Sequence, residues 1–260
     1  MLYYELTGFM TPPKSHVNSG AFDLPPPEET ALLLDFDGTL VEIAERPMEV
    51  RVSDRVVRLL DRAQERLQGR IALISGRTIE DLEHFLPSFD GPLVGIHGTE
   101  YRIEGEREVS AKVDAAIVSR LHRLVEDFVA LRPEFVAETK PSGVVLHYRQ
   151  AEDKAAHVMK FMEALACAAQ GFKLQPALMA YEIKPEGVGK DTAVQHLMEL
   201  PAFEGHKPIY AGDDLTDEAG IKAAQALGGL GIKIGDAESA ARHRLATPSD
   251  LIDLLEHWLA

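Results

Sequence analysis

The sequence predicts an α/β protein: a parallel sheet flanked by helices, interrupted by a smaller inserted α+β unit. Three observations carry that prediction. Short, continuously apolar runs such as "ALLL" and "IALI" alternate with longer segments of helical periodicity. This is the rhythm of strands buried on both faces and joined by crossover helices. Over residues 113–183 the rhythm changes to helix, two strands, helix, two strands, the pattern of a compact unit with its own small sheet. Finally, the apolar runs outside that insert end in aspartate, serine or glycine, at the strand ends where an open parallel sheet gathers its reactive groups.

Taken in order, residues 1–27 carry the proline cluster of "DLPPPEE" and no sustained periodicity, and are expected to be a tail or linker. "ALLLDFD", Ala31 to Asp37, reads as the first strand. "SDRVVRLLDRAQERLQG" reads as a helix with Ser53 as N-cap and Gly69 just past its end. "IALIS" is a second strand, "TIEDLEHFL" a helix and "PLVGIHG" a third strand. In the insert, "DAAIVSRLHRLVEDFVALRP" is an amphipathic helix with Ile117, Leu121, Leu124, Val125 and Phe128 on one stripe. "FVAETK" and "VVLHYR" are strands joined by a turn at Pro141, Ser142 and Gly143. A helix from Asp153 to Ala169 then leads to the strands "FKLQ" and "AYEIK". The first rhythm returns with a helix from Lys190 to Glu199, strand "PIYAG", a helix from Asp217 to Leu227, strand "LGIKIG" and a final helix "SDLIDLLEHWL". Residues 28–112 and 184–260 are thus expected to form the core, with 113–183 as the inserted unit.

The composition fits this reading and narrows the partners. A chain of 260 residues that is 45% hydrophobic suits one large domain or two smaller ones with a real core. Lys and Arg number 27 against 42 Asp and Glu, a formal charge of −15, which repels nucleic acid and anionic membranes on average. A local cation or bound metal outweighs that field inside a pocket, so an anionic small molecule remains a partner. The single Cys167 excludes an intramolecular disulfide and a thiolate metal cluster, and its apolar neighbours in "MEALACAAQ" predict a small buried side chain. No apolar run is long enough to span a bilayer, and the first residues lack a basic region followed by an apolar core. A soluble, cytoplasmic, monomeric protein is expected.

The candidate chemistry sits at four points: Asp35 to Thr39 after the first strand, Ser75 to Arg77 after the second, Lys190 at the start of a helix, and Gly212 to Glu218 after "PIYA". Two carboxylates held close repel one another unless a cation compensates. Mg2+ is the natural compensator, a hard ion that takes oxygen ligands, and "GDD" supplies a further carboxylate. Asp is a nucleophile towards phosphorus, and Asp35, first out of the strand, is the better candidate. Asp37 lies on the same side of an extended backbone two residues on. There it would protonate a departing oxygen and then take a proton from the attacking water. Mg2+, the Ser75 hydroxyl and Lys190 would stabilise charge on the transferring oxygens.

This ordered set resembles the four motifs of the haloacid dehalogenase superfamily of phosphatases. More narrowly, "LISGR", "HGTEY", "LHYR", "YEIKPEGVGK" and "AGDDLTDEAG" resemble the trehalose-6-phosphate phosphatase family from about Thr30 to the C-terminus. The resemblance implies a Rossmann-like three-layer core, a mobile α/β cap inserted between the second and third motifs, and Mg2+-dependent hydrolysis of trehalose 6-phosphate through an aspartyl phosphate. It implies that Asp35, the backbone carbonyl of Asp37 and Asp213 hold the metal, that Asp214 lies in an outer shell, and that Asp217 orients Lys190 or the metal's waters. Thr39, Ser75, Gly76 and Lys190 are the corresponding phosphate contacts. For the sugar, the resemblance points to Lys140, His147, Arg149, Glu182 and Lys184 on the cap, with Glu182 foremost, and to His97, Gly98 and Glu100 on the core side of the cleft. One departure flanks the lysine: the family often has Ser or Thr before it and Gly after it, whereas this chain reads Gly189, Lys190, Asp191. The competing readings are a capped phosphatase for mannosyl-phosphoglycerate or a hexose phosphate, a phosphomutase, and a non-catalytic phosphate-sensing protein.

Overall fold

The first strand, β1 (Thr30–Leu34), is buried at every residue because it lies in the interior of an eight-stranded sheet. The computed structural model describes residues 22–44, 47–109, 114–140, 142–177 and 179–260. Most of the expected tail, the start of the insert at 113 and Pro141 of the expected turn lie outside the described residues. The remaining elements are α1 (Asp54–Arg66), β2 (Ile71–Ile74), α2 (Ile79–Phe85), β3 (Leu93–Gly95), β4 (Glu100–Ile103), β5 (Glu106–Val109), α3 (Ala115–Ala130), β6 (Val136–Lys140) and β7 (Gly143–His147). They continue with α4 (Ala155–Ala168), β8 (Phe172–Ala177), β9 (Ala180–Pro185), α5 (Lys190–Met198), β10 (Lys207–Gly212), α6 (Asp217–Ala226), β11 (Leu230–Ile234), β12 (His243–Leu245) and α7 (Pro248–Trp258).

The large sheet has the order β12-β11-β10-β1-β2-β3-β4-β5. It is parallel from β12 to β3, with β4 and β5 added antiparallel. Alternate residues of β1 face opposite layers. Leu32 and Leu34 pack with α1, α2 and α7 residues such as Leu59, Leu82 and Leu255, while Ala31 and Leu33 pack with Val194, Leu197 and Ile221 of α5 and α6. This is the predicted three-layer α/β core. Each of the three leucines is at most 1% exposed, and truncating one to Ala would cost about 2–5 kcal/mol. The strand is therefore rigidly held up to its last residue, which fixes where Asp35 emerges.

Several details differ from expectation. "PLVGIHG" is a strand only through Gly95, because Ile96 and His97 both take left-handed backbone (φ 46° and 54°) and fold the chain into a single 3-10 turn. "EYRIEGEREV" then forms a hairpin, β4–β5, through a turn with positive φ at both Glu104 (51°) and Gly105 (80°), the type that matches strand twist. Cys167 is exposed: α4 buries Val158, Met162 and Ala166, and a residue one past Ala166 is turned roughly 100° away.

The smaller sheet is antiparallel, in the order β6-β7-β9-β8. Its Val144, Leu146, Phe172 and Ile183 pack against Val118, Leu121 and Val125 of α3 and Val158 and Met162 of α4. Leu124 of the predicted stripe is instead 37% exposed. The pairing register places Glu182 beside Val145 and Gln175, and Lys184 beside Lys173, so these residues share the face away from the helices. Among the described residues no helix is long and apolar enough to cross a membrane.

Candidate active site

The backbone of Asp35 stays in register with β10 for one residue past β1, its N–H donating to Ala211 O at 3.0 Å. The chain then turns back on itself: Leu40 and Val41 N–H groups donate to Phe36 O, and Gly38 N–H donates to Val41 O at 2.7 Å. Gly38 has φ +74°, and a Cβ there would lie 2.2 Å from Asp213 Oδ2. The turn after β1 and the end of β10 meet at this point, bringing two of the predicted acidic motifs together.

Lys190 is the first residue of α5 and only 3% exposed. Its Nζ donates to Asp35 Oδ1 and to Asp217 Oδ1, each at 2.6 Å. Asp217, fully buried, also accepts the Tyr210 hydroxyl on Oδ1 at 2.6 Å and the Asp214 N–H on Oδ2 at 3.0 Å. Both oxygens of Asp217 are thus engaged in holding Lys190 and the loop after β10. Burial opposes the charge on Lys190, yet Asp35 and Asp217 carry its affinity for the proton above the ordinary lysine value.

Carboxylate oxygens of Asp35, Asp213 and Asp217 lie within 4.8 Å of one another. Burial pushes the Asp35 carboxyl up to about 8, with Lys190 opposing and Asp217 and Asp213 adding to the rise. Burial, then Asp217 and Asp214, push Asp213 up to about 6. Asp217 already accepts three hydrogen bonds, so Asp35 and Asp213 are the pair with more ligand capacity to spare. Two desolvated carboxyls that cannot both ionise comfortably unaided fit a hard divalent cation. Lys233, 2% exposed inside β11, sends its amine to the backbone carbonyl of Asp213. Asp214 is exposed, its Oδ1 accepting the Leu215 N–H at 2.7 Å.

Asp37 occupies the turn beyond Asp35 with its side chain 33% exposed. Arg77 donates to both of its oxygens, Nε to Oδ2 at 2.6 Å and Nη2 to Oδ1 at 2.7 Å. The sequence alone places Arg77 at a strand end and assigns it no role. Its position, two residues past Ser75, was the available signal. Ser75 is 1% exposed, and its Oγ accepts the Arg77 N–H at 3.2 Å.

Two cavities adjoin. One of about 560 Å³ is lined by Asp35, Asp37, Ser75, Gly76, Arg77, Asp213 and Asp214 among others. The other, about 700 Å³, lies between the smaller sheet and helices α5 and α6, with Lys173, Gln175, Glu182 and Lys184 on one side and Asp191, Gln195, Thr216 and Lys222 on the other. His97, Lys190 and Thr216 line both. His97 is held there by its backbone N–H, which donates to Ser75 O at 2.9 Å. Burial, with Lys190, Lys140 and Lys184, lowers its imidazole to about 3, so the ring is neutral. Lys173 and Gln175 are not among the residues that the sequence alone singles out. Their alternation with Phe172 and Leu174 was the signal.

The other predicted residues take varied places. Lys140 Nζ lies 3.1 Å from Glu182 Oε1. Burial lowers the Lys184 amine, Glu182 opposing and Lys173 and Lys140 adding to the effect. His147 pairs with Glu138 at 2.9 Å on a solvent-facing stretch, and Arg149 is exposed in the turn after β7. Thr39 is fully buried, its Oγ1 without a hydrogen-bond partner among the described residues. Gly98 sits against the backbone of Gly189. Glu100 Oε2 accepts the Ile79 N–H at 3.2 Å at the start of α2, which is a helix-capping position rather than a cleft wall.

Comparison with known proteins adds an independent line. The family model described as trehalose-phosphatase matches residues 33–251. The chain is 34% identical over 230 residues to the trehalose-6-phosphate phosphatase of Escherichia coli strain K12, covering 87% of this chain and 85% of that protein. Its fold is similar to that of the C-terminal domain of the Candida albicans trehalose-6-phosphate phosphatase, with TM-score 0.73 and 21% identity over 89% of this chain and 92% of the other. It is also similar to a haloacid dehalogenase-like hydrolase from B. subtilis, with TM-score 0.65 and 15% identity over 88% and 99% of the two chains.

Proposed function

The chain belongs to the trehalose-phosphatase family, and from that premise we propose that it hydrolyses trehalose 6-phosphate to trehalose and inorganic phosphate by way of an aspartyl phosphate. The observation that carries this reading is the buried chain Asp35–Lys190–Asp217, linked at 2.6 Å on each side and set beside Asp213. It holds a carboxylate and a fixed positive charge at one point on the floor of a cavity.

In the first half-reaction Asp35 attacks phosphorus through a carboxylate oxygen. The bond from phosphorus to the sugar oxygen breaks, and that oxygen takes a proton from Asp37. In the second half, Asp37 takes a proton from water as its oxygen attacks phosphorus, the bond to Asp35 breaks, and phosphate leaves. Lys190 and Ser75 stabilise the phosphoryl oxygens throughout. Asp35, Asp213 and the carbonyl of Asp37 are the residues that would hold Mg2+, which when bound supplies positive charge at the transferring phosphoryl group. The smaller unit, residues 113–183, serves as the cap. Its Glu182, paired with Lys140, and Lys184 recognise the sugar across the larger cavity, and closure over the site excludes bulk water.

The test is phosphate release from trehalose 6-phosphate with and without Mg2+, alongside mannosyl-phosphoglycerate and hexose phosphates. Mg2+-dependent release favouring trehalose 6-phosphate, abolished in Asp35→Asn, is the expected result. Retained turnover in Asp35→Asn refutes the nucleophile, and a preference for another sugar phosphate refutes the substrate.

A further inference from the structure

We propose that Arg77 is a positioning residue for Asp37: its guanidinium fork fixes the carboxylate in the plane and direction from which Asp37 exchanges protons with the leaving sugar oxygen and the attacking water. The inference rests on the acid–base reading of Asp37 given above. Asp37 sits in a turn with a third of its side chain exposed, and the described contacts of its carboxylate are the two N–H bonds from Arg77, at 2.6 and 2.7 Å. A short side chain in that setting would otherwise rotate freely. A planar bidentate pair removes that freedom and leaves the outer lone pairs of both oxygens open to the cavity.

Arg77 is itself immobilised, as a positioning residue has to be. Its side chain is 9% exposed. Its guanidinium lies 4.9 Å from the Phe85 ring centroid and 5.6 Å from that of Phe36. Its backbone N–H donates to Ser75 Oγ and its carbonyl accepts the Ile96 N–H at 2.8 Å. The fork is thus tied to β2, α2 and the turn after β3, whereas Asp37 belongs to the turn after β1. The geometry also divides the cations between the two aspartates of this turn: Lys190, shared with Asp217, serves Asp35, and Arg77 serves Asp37, although the two carboxylates are two residues apart.

The leaving group separates this role from a structural one. An alkyl phosphate needs a proton for its departing oxygen, whereas p-nitrophenyl phosphate, with a good leaving group, needs Asp37 only for the attack of water. In Arg77→Met, rapid-mixing kinetics with p-nitrophenyl phosphate and Mg2+ should show an initial burst of nitrophenol of full amplitude, followed by slow turnover. The steady-state rate on trehalose 6-phosphate should fall about 10- to 100-fold, within the range that a positioned acid–base group supplies. Arg77→Lys, which keeps the charge but not the fork, should recover little of the loss. In the Asp37→Asn background, Arg77→Met should cost almost nothing more, because a residue that acts through Asp37 has nothing left to act on. If Arg77→Met costs as much in that background as in the wild type, or if the burst disappears in both Arg77 variants, the inference is overturned while the role of Asp37 stands. If Asp37→Asn itself keeps full turnover, the acid–base reading falls and the inference with it.

Discussion

A divalent cation should stabilise this protein more as the pH rises, and the reason lies in two carboxyl groups. Burial raises Asp35 from 3.8 to about 8 and Asp213 from 3.8 to about 6. Without a cation the folded chain therefore binds more protons than the unfolded chain between about pH 4 and those values. The stability each group contributes is full below about pH 4 and is lost as the pH climbs through its folded value. A cation held by both groups binds their ionised forms, so its affinity grows over the same window. At pH 8 and a Mg2+ concentration about 100 times the dissociation constant, binding contributes about 2.7 kcal/mol. For a chain of this size that is a rise in melting temperature of about 5–10 °C. At pH 5.5 and the same Mg2+ concentration, displacing the proton from Asp35 alone weakens binding by roughly two orders of magnitude, and the rise should shrink to about 1 °C or less. Thermal melts at pH 5.5, 6.5, 7.5 and 8 with and without Mg2+ measure this directly, with Asp213→Asn as the control that should show no rise at any pH. A rise that is flat or decreasing with pH, or one that survives intact in Asp213→Asn, refutes the assignment of these two carboxyls to the cation.

Three further outcomes are expected. Asp217→Asn, which weakens the grip on Lys190, should lower turnover by about 100-fold yet keep the Mg2+-dependent rise in melting temperature; loss of that rise would make Asp217 a ligand. Gly38→Ala places a Cβ 2.2 Å from Asp213 Oδ2 on a backbone with φ +74°. It should cost about 1–3 kcal/mol in urea denaturation and abolish the Mg2+ response, and a variant with normal Mg2+ affinity would show that the turn after β1 does not shape the site. Glu182→Ala leaves Lys140 without its carboxylate partner. Turnover of trehalose 6-phosphate should then fall about 10-fold or more while a small aryl phosphate is scarcely affected; equal losses on both would remove the cap from substrate selection.

The elements legible in the sequence are those that burial on both faces forces into apolar runs. β1 and β2 could be read for that reason, and so could the point at which Asp35 leaves the core. The edges of the large sheet obey a different rule. β4, β5 and β12 each have one neighbour or an exposed face, so "EYRIEGEREV" and "HRL" are charged and lack the continuous apolar runs of β1 and β2. The hairpin's local marks are the Glu104–Gly105 turn and the short alternation that puts Tyr101 and Ile103 on the packed face. In the smaller sheet, Lys173 and Gln175 gained meaning only when register set them beside Lys184 and Glu182.

Within the site the same distinction holds between residues marked by their own environment and residues marked by a partner. An aspartate at the end of a buried strand is conspicuous because its charge has to be compensated, and the sequence already shows the cost. Arg77 is inconspicuous. An arginine after "ISG" suits solvent as well as it suits Asp37, and forty residues separate the pair. Lys233 lies between these cases. A lysine inside the apolar strand "LGIKIG" cannot be left unpaired in a core, and Lys233, next to last in β11, lies near the carboxyl edge of the sheet. That reasoning was available from the sequence, and it leads to the neighbouring strand β10, where the carbonyl of Asp213 receives the amine. A buried lysine near the end of a core strand is therefore evidence about the site alongside the aspartates, because each is a charge that has to be compensated.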